Sequence, residues 1–385
     1  GLKPIVFERG GKIEDRIKDV NSFFEKRQLN PACNIQFGEG GAGTFSDGKL
    51  NSLIKDKDTI GRFVLEAFVR FGAPKEILYK NKPHIGTDIL RIIVKNIREY
   101  IISKGGELRF DTKMTELLTF GGEITGVKAV TNRKGADIEE KIETDCVILA
   151  IGHSARDTFA LLKTQKVAME KKAFSVGVRI EHLQKDIDKS QYGTSAELMR
   201  ELNGAADYKL SHRASNGRGV YTFCMCPGGF VVGAASEEGR LVTNGMSNFD
   251  RAGQNANAAL LVSVTPEDFP GDNVLSGVEF QRKIEENAFF AGGGNWRAPC
   301  QLVGDFLLGK ESNSVGRIEP SFSNGFALAD LNSILPKEVA AALKEGIPAF
   351  GKKIYGFDAY EAVLTGCETR SSSPVRILRN EKGNS

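Results

Sequence analysis

Three short segments carry the residue types that a dinucleotide site needs. The first is Ile5-Val6-Phe7-Glu8, a strand-like run closed by an acid and followed by Arg9. In nucleotide-binding sheets an acidic residue ending a strand accepts hydrogen bonds from the adenosine ribose hydroxyls. The plain alternative is a solvated carboxylate after a core strand. The second segment is the loop Gly38-Glu39-Gly40-Gly41-Ala42-Gly43-Thr44-Phe45-Ser46-Asp47-Gly48-Lys49-Leu50, with five glycines in thirteen residues. Residues 38–43 spell G-x-G-x-x-G, but that fingerprint requires a preceding strand and a following apolar helix, and Thr44–Lys49 does not open one. The loop reads better as a backbone cradle. Its glycines let successive N–H groups turn toward an anion, while Ser46 adds a hydroxyl and Lys49 a cation. A hinge loop is the competing reading. The third segment is Ala150-Ile151-Gly152-His153-Ser154, where an apolar run ends in glycine and a small polar pair opens a helix. Such a turn lets a ligand approach the backbone, or is an ordinary strand-to-helix connection.

Other chemistry has little support. His84, His153, His182 and His212 show no metal-ligand spacing with one another or with cysteine, so no metal site is expected. Cys224 and Cys226 lie two apart on one strand, hence on one face, and a redox role is a minor reading. No G-x-S-x-G elbow, P-loop or H-E-x-x-H occurs, which removes the motif basis for a hydrolase or a nucleoside triphosphatase.

The elements that must position these segments follow from periodicity. A charged, helical stretch runs to Lys26. Ile60, Phe63, Val64, Ala67, Phe68 and Phe71 keep helical spacing from Asp58 to Gly72. A second helix is expected from a Thr87 cap to Gly105-Gly106. The period then becomes two. Leu108–Phe110 reads as a strand, and Met114–Phe120, Ile124–Thr131 and Ala136–Ile142 as an antiparallel meander. Cys146–Ile151 reads as a parallel strand buried on both faces, followed by a helix at Ala155–Leu162. Further on, a strand at Phe174–Ile180, a hairpin about Pro227-Gly228-Gly229, a helix at Val339–Leu343 and a strand at Val375–Leu378 are expected.

The 385 residues suggest two or three domains. Lys plus Arg exceeds Asp plus Glu by 52 − 49 = 3, spread along the chain, which argues against a nucleic-acid or anionic-membrane surface. No apolar run approaches the roughly 20 residues that span a bilayer. Six cysteines without C-x-x-C spacing suit reduced thiols and a cytoplasmic protein.

Taken together, the segments resemble the FAD-dependent dehydrogenases, also described as NAD(FAD)-utilising dehydrogenases, of the glutathione-reductase-like flavoproteins. The resemblance rests on L-K-P-I-V-F-E-R-G at the start, the Gly38–Leu50 loop and I-L-A-I-G-H-S-A-R-D-T-F at Ile148–Phe159. It continues through F-S-V-G-V-R-I-E-H at Phe174–His182, G-R-G-V-Y-T-F-C-M-C-P-G-G at Gly217–Gly229, L-V-T-N-G-M-S at Leu241–Ser247 and T-G-C-E-T-R-S-S-S-P-V-R-I at Thr365–Ile377. It implies an α/β fold: an FAD-binding Rossmann-like domain with a three-stranded meander over 1–153, an α+β substrate domain over 154–355, and a return segment at 356–385. It implies that Glu8, with Arg9, holds the ribose, and that residues 38–44 and 46–49 lie along the FAD. Those are Gly38, Glu39, Gly40, Gly41, Ala42, Gly43, Thr44, Ser46, Asp47, Gly48 and Lys49. Met114 would lie near the adenine, and Ala150, Gly152 and His153 near the dinucleotide. It supplies no catalytic acid or base. Family members carry two further glycine-rich FAD segments, one at each end, so this chain is expected to be an internal piece lacking both. The implied activity is oxidation or reduction of a small-molecule substrate by hydride transfer at flavin N5, with NAD(P)H a transient reductant. The rival is a flavin-binding or remnant protein without turnover. Neither a nucleic acid nor a membrane is expected as a partner, and the oligomeric state is left open.

Overall fold

The computed structural model describes residues 2–50, 59–133 and 135–380. The protein is mixed α/β, built on an eight-stranded sheet and smaller sheets of two and three strands. In the large sheet the strands run in the order Thr243–Met246, Gly219–Gly233, Asn255–Val264, Phe174–Leu183, Val363–Glu368, Ala298–Leu302, Phe326–Leu328, with Ser211–Arg213 beside the start of Gly219–Gly233. All pairs along this path are antiparallel except the last, Ala298–Leu302 with Phe326–Leu328.

Phe174–Leu183 shows why the sheet has two unlike faces. Its ten residues are all buried, so alternation sorts them by chemistry rather than by exposure. Phe174, Val176, Val178 and Ile180 join the main apolar core with Leu260, Val262 and Leu364. The other set includes Ser175, Arg179 and Glu181, and forms a buried polar face. Helix Lys337–Gly351 closes the apolar side with Val339, Leu343, Ile347 and Phe350. It comes close because Gly346 has no side chain: a Cβ there would lie 2.6 Å from Val220.

Several expectations hold. Helices form at Ile13–Lys26, Ile60–Arg70 and Thr87–Ser103, and the meander forms at Thr112–Phe120, Glu123–Arg133 and Ala136–Glu143. The helix start expected at Asp58 lies outside the described residues. Ile5–Phe7 is a strand, pairing in parallel with Glu107–Arg109, which replaces the expected Leu108–Phe110. Thr87 does not cap its helix. It is the first helical residue, and its hydroxyl donates to Thr44 O at 2.8 Å.

Three expectations need correction. Cys146–Ile151 is not a strand among the described residues: no neighbouring strand pairs with it and Ile148 is 87% exposed. Only Val147, Leu149 and Ile151 pack, against the meander and helix Arg156–Thr164, so one face is covered instead of two. The hairpin about Pro227-Gly228-Gly229 is instead one strand, Gly219–Gly233. Its two halves find different partners, Asn255–Val264 first and Thr243–Met246 afterwards, so the glycines bend the chain without reversing it. The large sheet also extends past residue 355. Val363–Glu368 pairs with both Phe174–Leu183 and Ala298–Leu302, so it is an interior strand of this sheet. Only Val375–Ile377 beyond it pairs elsewhere, with Met169–Lys171.

The bend at Gly228 is sterically demanding. Its φ is +48°, and a Cβ would sit 1.7 Å from Arg251 O. Gly228→Ala is expected to destabilise the protein by about 3 kcal/mol. Gly121→Ala, at a meander turn where φ is also positive but space is open, should cost about 1 kcal/mol. Urea unfolding of the two variants measures the difference.

Candidate functional site

The glycine loop is organised from beneath by Arg16. Helix Ile13–Lys26 has an apolar stripe at Ile13, Val20 and Phe23, and Arg16 falls on that stripe, fully buried. Its guanidinium donates to five backbone carbonyls: Asn34 at 2.9 Å, Ile35 at 2.9 Å, Gly38 at 3.2 Å, Glu39 at 2.6 Å and Gly41 at 2.9 Å. It also lies over the Phe45 ring. Burial lowers its pKa to about 10, with nearby Glu8, Cys33 and Glu39 opposing the fall, so it stays charged at neutral pH. Gly38 is required here, since a Cβ would lie 2.4 Å from the Arg16 side chain.

Because those carbonyls turn inward, the other side of the loop is left with donors. Gly38 N–H is bonded to Glu8, that of Glu39 to Gly11 O and that of Gly41 to Gly38 O. The amides of Gly40, Ala42 and Gly43 have no protein acceptor among the described residues. A Cβ at Gly41 or Gly43 would meet nothing within 4 Å, so that side is open.

Glu8 joins the strand end to this loop. Its Oε1 accepts from Gly10 N at 3.0 Å and Gly38 N at 2.9 Å, while Oε2 has no protein donor among the described residues. Arg9 turns away from it, pairing with Asp157 at 2.8 Å and stacking over Phe37. Glu39 is buried. Burial raises its pKa against the Ile13 amide and Arg98, which hold Oε2 at 2.7 Å each.

The far end of the loop is fastened to the large sheet. Asp47 is buried and takes Arg251 at 2.5 Å, Lys49 at 2.9 Å and the Ser247 hydroxyl. Burial alone would raise its pKa, but Lys49 and Arg251 outweigh it and hold the group down to about 2. Lys49 also donates to Met225 O, so its charge is already engaged by protein. Ser46 closes a short turn, accepting from Gly48 N at 3.0 Å.

The third segment meets the same region from another side. Ser154 donates to Gln36 Oε1 at 3.0 Å, and Gln36 donates to Ala234 O at 3.2 Å. His153 has its pKa lowered to about 4 by burial and by Arg370 and Arg156, so it is neutral at pH 7. Those arginines flank buried Glu285 at 3.0 and 2.7 Å. Their charges outweigh the effect of burial and keep Glu285 ionised. Gly152 has φ +67° and open space. Ala150 is exposed, and Met114 packs with Leu149 and Ile151 under the meander. Among the described residues no hydrogen bond joins either one to the loop.

Sequence reasoning missed Arg16, Gln36, Arg98, Arg251 and the Arg156–Glu285–Arg370 cluster. Arg16 had a readable signal, a charge on an otherwise apolar helical stripe. The others are set by contacts over 59 to more than 200 residues of sequence, which local pattern does not encode.

A buried clamp, amides without protein acceptors and a strand-end carboxylate lie together beside a polar sheet face. Residues 173–371 match the family described as FAD-dependent protein, C-terminal domain-like, and the chain belongs to that family. It is 49% identical over 381 residues to an uncharacterized protein of Clostridium beijerinckii, covering 99% of this chain and 69% of that one. Among solved structures, glycerol-3-phosphate dehydrogenase from Bacillus halodurans complexed with FAD shares 13% identity, with 74% of this chain and 52% of that one covered and a TM-score of 0.29. CtdE in complex with FAD shares 12%, with coverages of 95% and 71% and a TM-score of 0.26. Scores this low carry no argument about fold or activity.

Two outcomes test this geometry. Arg16→Met strands five carbonyls and should lower stability by about 3–5 kcal/mol, with proteolytic cleavage appearing first within residues 34–41. Asp47 has a depressed folded pKa, so its contribution is fully present above about pH 4 and is lost as pH falls toward 2. Acid titration of stability should therefore show a loss over that interval of about 2 kcal/mol, absent in Asp47→Asn.

Proposed function

We propose that the protein is an FAD-dependent oxidoreductase that moves a hydride between a small-molecule substrate and the cofactor. The observation that carries this reading is Glu8. One carboxylate oxygen accepts from the Gly10 and Gly38 amides, and among the described residues the other has no protein donor and the nearby Gly40, Ala42 and Gly43 amides have no protein acceptor. A ribose diol needs a fixed acceptor of this kind, and a phosphate needs the amides. Family membership supplies the cofactor class.

The residues fit the group in some places and not in others. Glu8 would hold the ribose, and Gly40, Ala42 and Gly43 would donate to an anionic oxygen. Gly152 would permit close approach. Lys49 does not fit as a free cation, because Asp47 and Met225 O already engage it. Arg9 acts through Asp157, and Met114 and Ala150 stay proposals without a hydrogen bond to the cradle. When bound, the flavin supplies two-electron hydride chemistry at N5.

The chain's own residues bind and orient. Arg16 fixes the loop, Glu8 fixes its distance from the strand end, and the Asp47–Arg251 pair fixes the loop against the sheet. Burial, with Arg370 and Arg156 nearby, keeps His153 neutral, so at pH 7 its ring can donate one hydrogen bond and accept another. NAD(P)H as a transient reductant and residence in the cytoplasm belong to this proposal. No helix among the described residues is long and apolar enough to cross a membrane.

Glu8→Gln keeps one acceptor oxygen for the glycine amides but loses the charge that strengthens a hydroxyl's hydrogen bond. A charge-assisted bond contributes roughly 1.5–3 kcal/mol, so FAD affinity by calorimetry should fall about 10- to 100-fold with an unchanged melting temperature. Unchanged affinity would remove Glu8 from the site.

A further inference from the structure

Cys224 and Cys226 flank the one residue whose carbonyl Lys49 holds. The strand is irregular there. Cys226 is opposite Asn257 and Phe223 is opposite Ala259, so three steps on one strand face two on the other. This is a β-bulge, and Cys224 takes the left-handed conformation it requires, with φ +40°. A non-glycine residue held there is strained, and the surroundings hold it. Arg179 donates to Cys224 O at 3.1 Å, while its other contacts are Glu368 at 2.6 Å and Asn257 at 2.8 Å.

The bulge gives the thiols unequal roles. Cys224 is exposed and Cys226 is buried, with the Cys226 sulfur 3.3 Å from Cys224 O. In a regular strand, residues two apart are separated by roughly 6.6 Å, near the upper limit for a disulfide. Lys49, Arg251 and Arg179 face the pair, opposed by Asp47 and Glu368. Protein atoms crowd Cys224 enough that desolvation pushes its thiol up to about 11 even though solvent reaches it. Exchange is therefore faster in alkaline solution, where more thiolate is present.

We propose that Cys224 and Cys226 are a two-electron thiol–disulfide site that exchanges with a small, anionic disulfide. The Cys224 thiolate attacks one sulfur of the disulfide. A Cys224–S bond forms, the substrate S–S bond breaks and one thiol leaves. Cys226 then gives up its proton and displaces the second thiol, closing the intrachain bond. One disulfide is reduced to two thiols, and two protein thiols are oxidised to one disulfide. The partner must be small because the glycine loop, through Lys49, lies directly on Met225 between the two cysteines. Three cations beside the pair, Lys49, Arg251 and Arg179, outnumber the carboxylates Asp47 and Glu368 that pair with them, and the net positive charge favours an anion. This site goes beyond the flavin reading and is tested without flavin, so either can fail alone.

The probe is oxidised glutathione in mildly alkaline buffer, followed by acid quench, alkylation and peptide mass mapping of the full chain. The peptide bearing residues 224 and 226 should lose both alkylation sites and carry no glutathione. Cys146, exposed and without a neighbouring cysteine, should keep the adduct and serves as internal control. In Cys226→Ser the adduct on Cys224 should persist, at least tenfold above the unaltered protein. Mapping of the unaltered protein decides the matter if that variant misfolds. A stable adduct on Cys224 in the unaltered protein, or full alkylation of both cysteines after treatment, would overturn the proposal.

Discussion

A single buried guanidinium sets the shape of the candidate site. An arginine removed from water must find acceptors for its donors, since an unpaired buried charge is costly. Arg16 finds them in the backbone of residues 34–41. The consequence for the loop is directional. Carbonyls pulled inward leave amides outward, and glycine at Gly38 allows the close approach. The same ion that stabilises the loop therefore leaves it with amides that no protein group accepts among the described residues. Among the described residues no carboxylate ion-pairs with Arg16, so the charge is compensated by dipoles and by nearby Glu8 and Glu39.

The large sheet depends on the same constraint at its other end. Its apolar face is an ordinary core. Its polar face has to satisfy Arg179, Glu181 and Glu368 away from solvent, and does so with Asn255, Asn257 and Ser321. Asp47 and Lys49 bring the glycine loop onto this face, fastening it to Arg251, Ser247 and Met225. Cradle and polar face are thus held together by buried charge pairs. Such contacts favour one arrangement sharply, because breaking one leaves an unpaired charge behind.

Elements with strong periodicity were legible in the sequence. The meander was readable because alternation and glycine turns agree, and the helices because their stripes are long. Cys146–Ile151 misled because an apolar run states that something covers it, not how many sides are covered. Pro227-Gly228-Gly229 misled because the residues that turn a chain also bend a strand between two partners. Glu8 and the glycine loop were visible as composition at a strand end, but Lys49 was read as a ligand cation and is instead a fastening between loop and sheet. The residues that organise the site, Arg16 and Arg251 above all, act across distant sequence. Only Arg16 left a local trace.

Hydrogen–deuterium exchange of the protein with and without added FAD tests the central claim most directly. If the Arg16-clamped loop is the cofactor cradle, FAD should slow exchange at Gly40, Ala42 and Gly43, whose amides have no protein acceptor. The edge strand Phe326–Leu328, at the far end of the sheet order from Thr243–Met246 and Gly219–Gly233, should exchange as before. Unchanged exchange across residues 38–49 under conditions where FAD is bound would contradict the account and place the cofactor elsewhere.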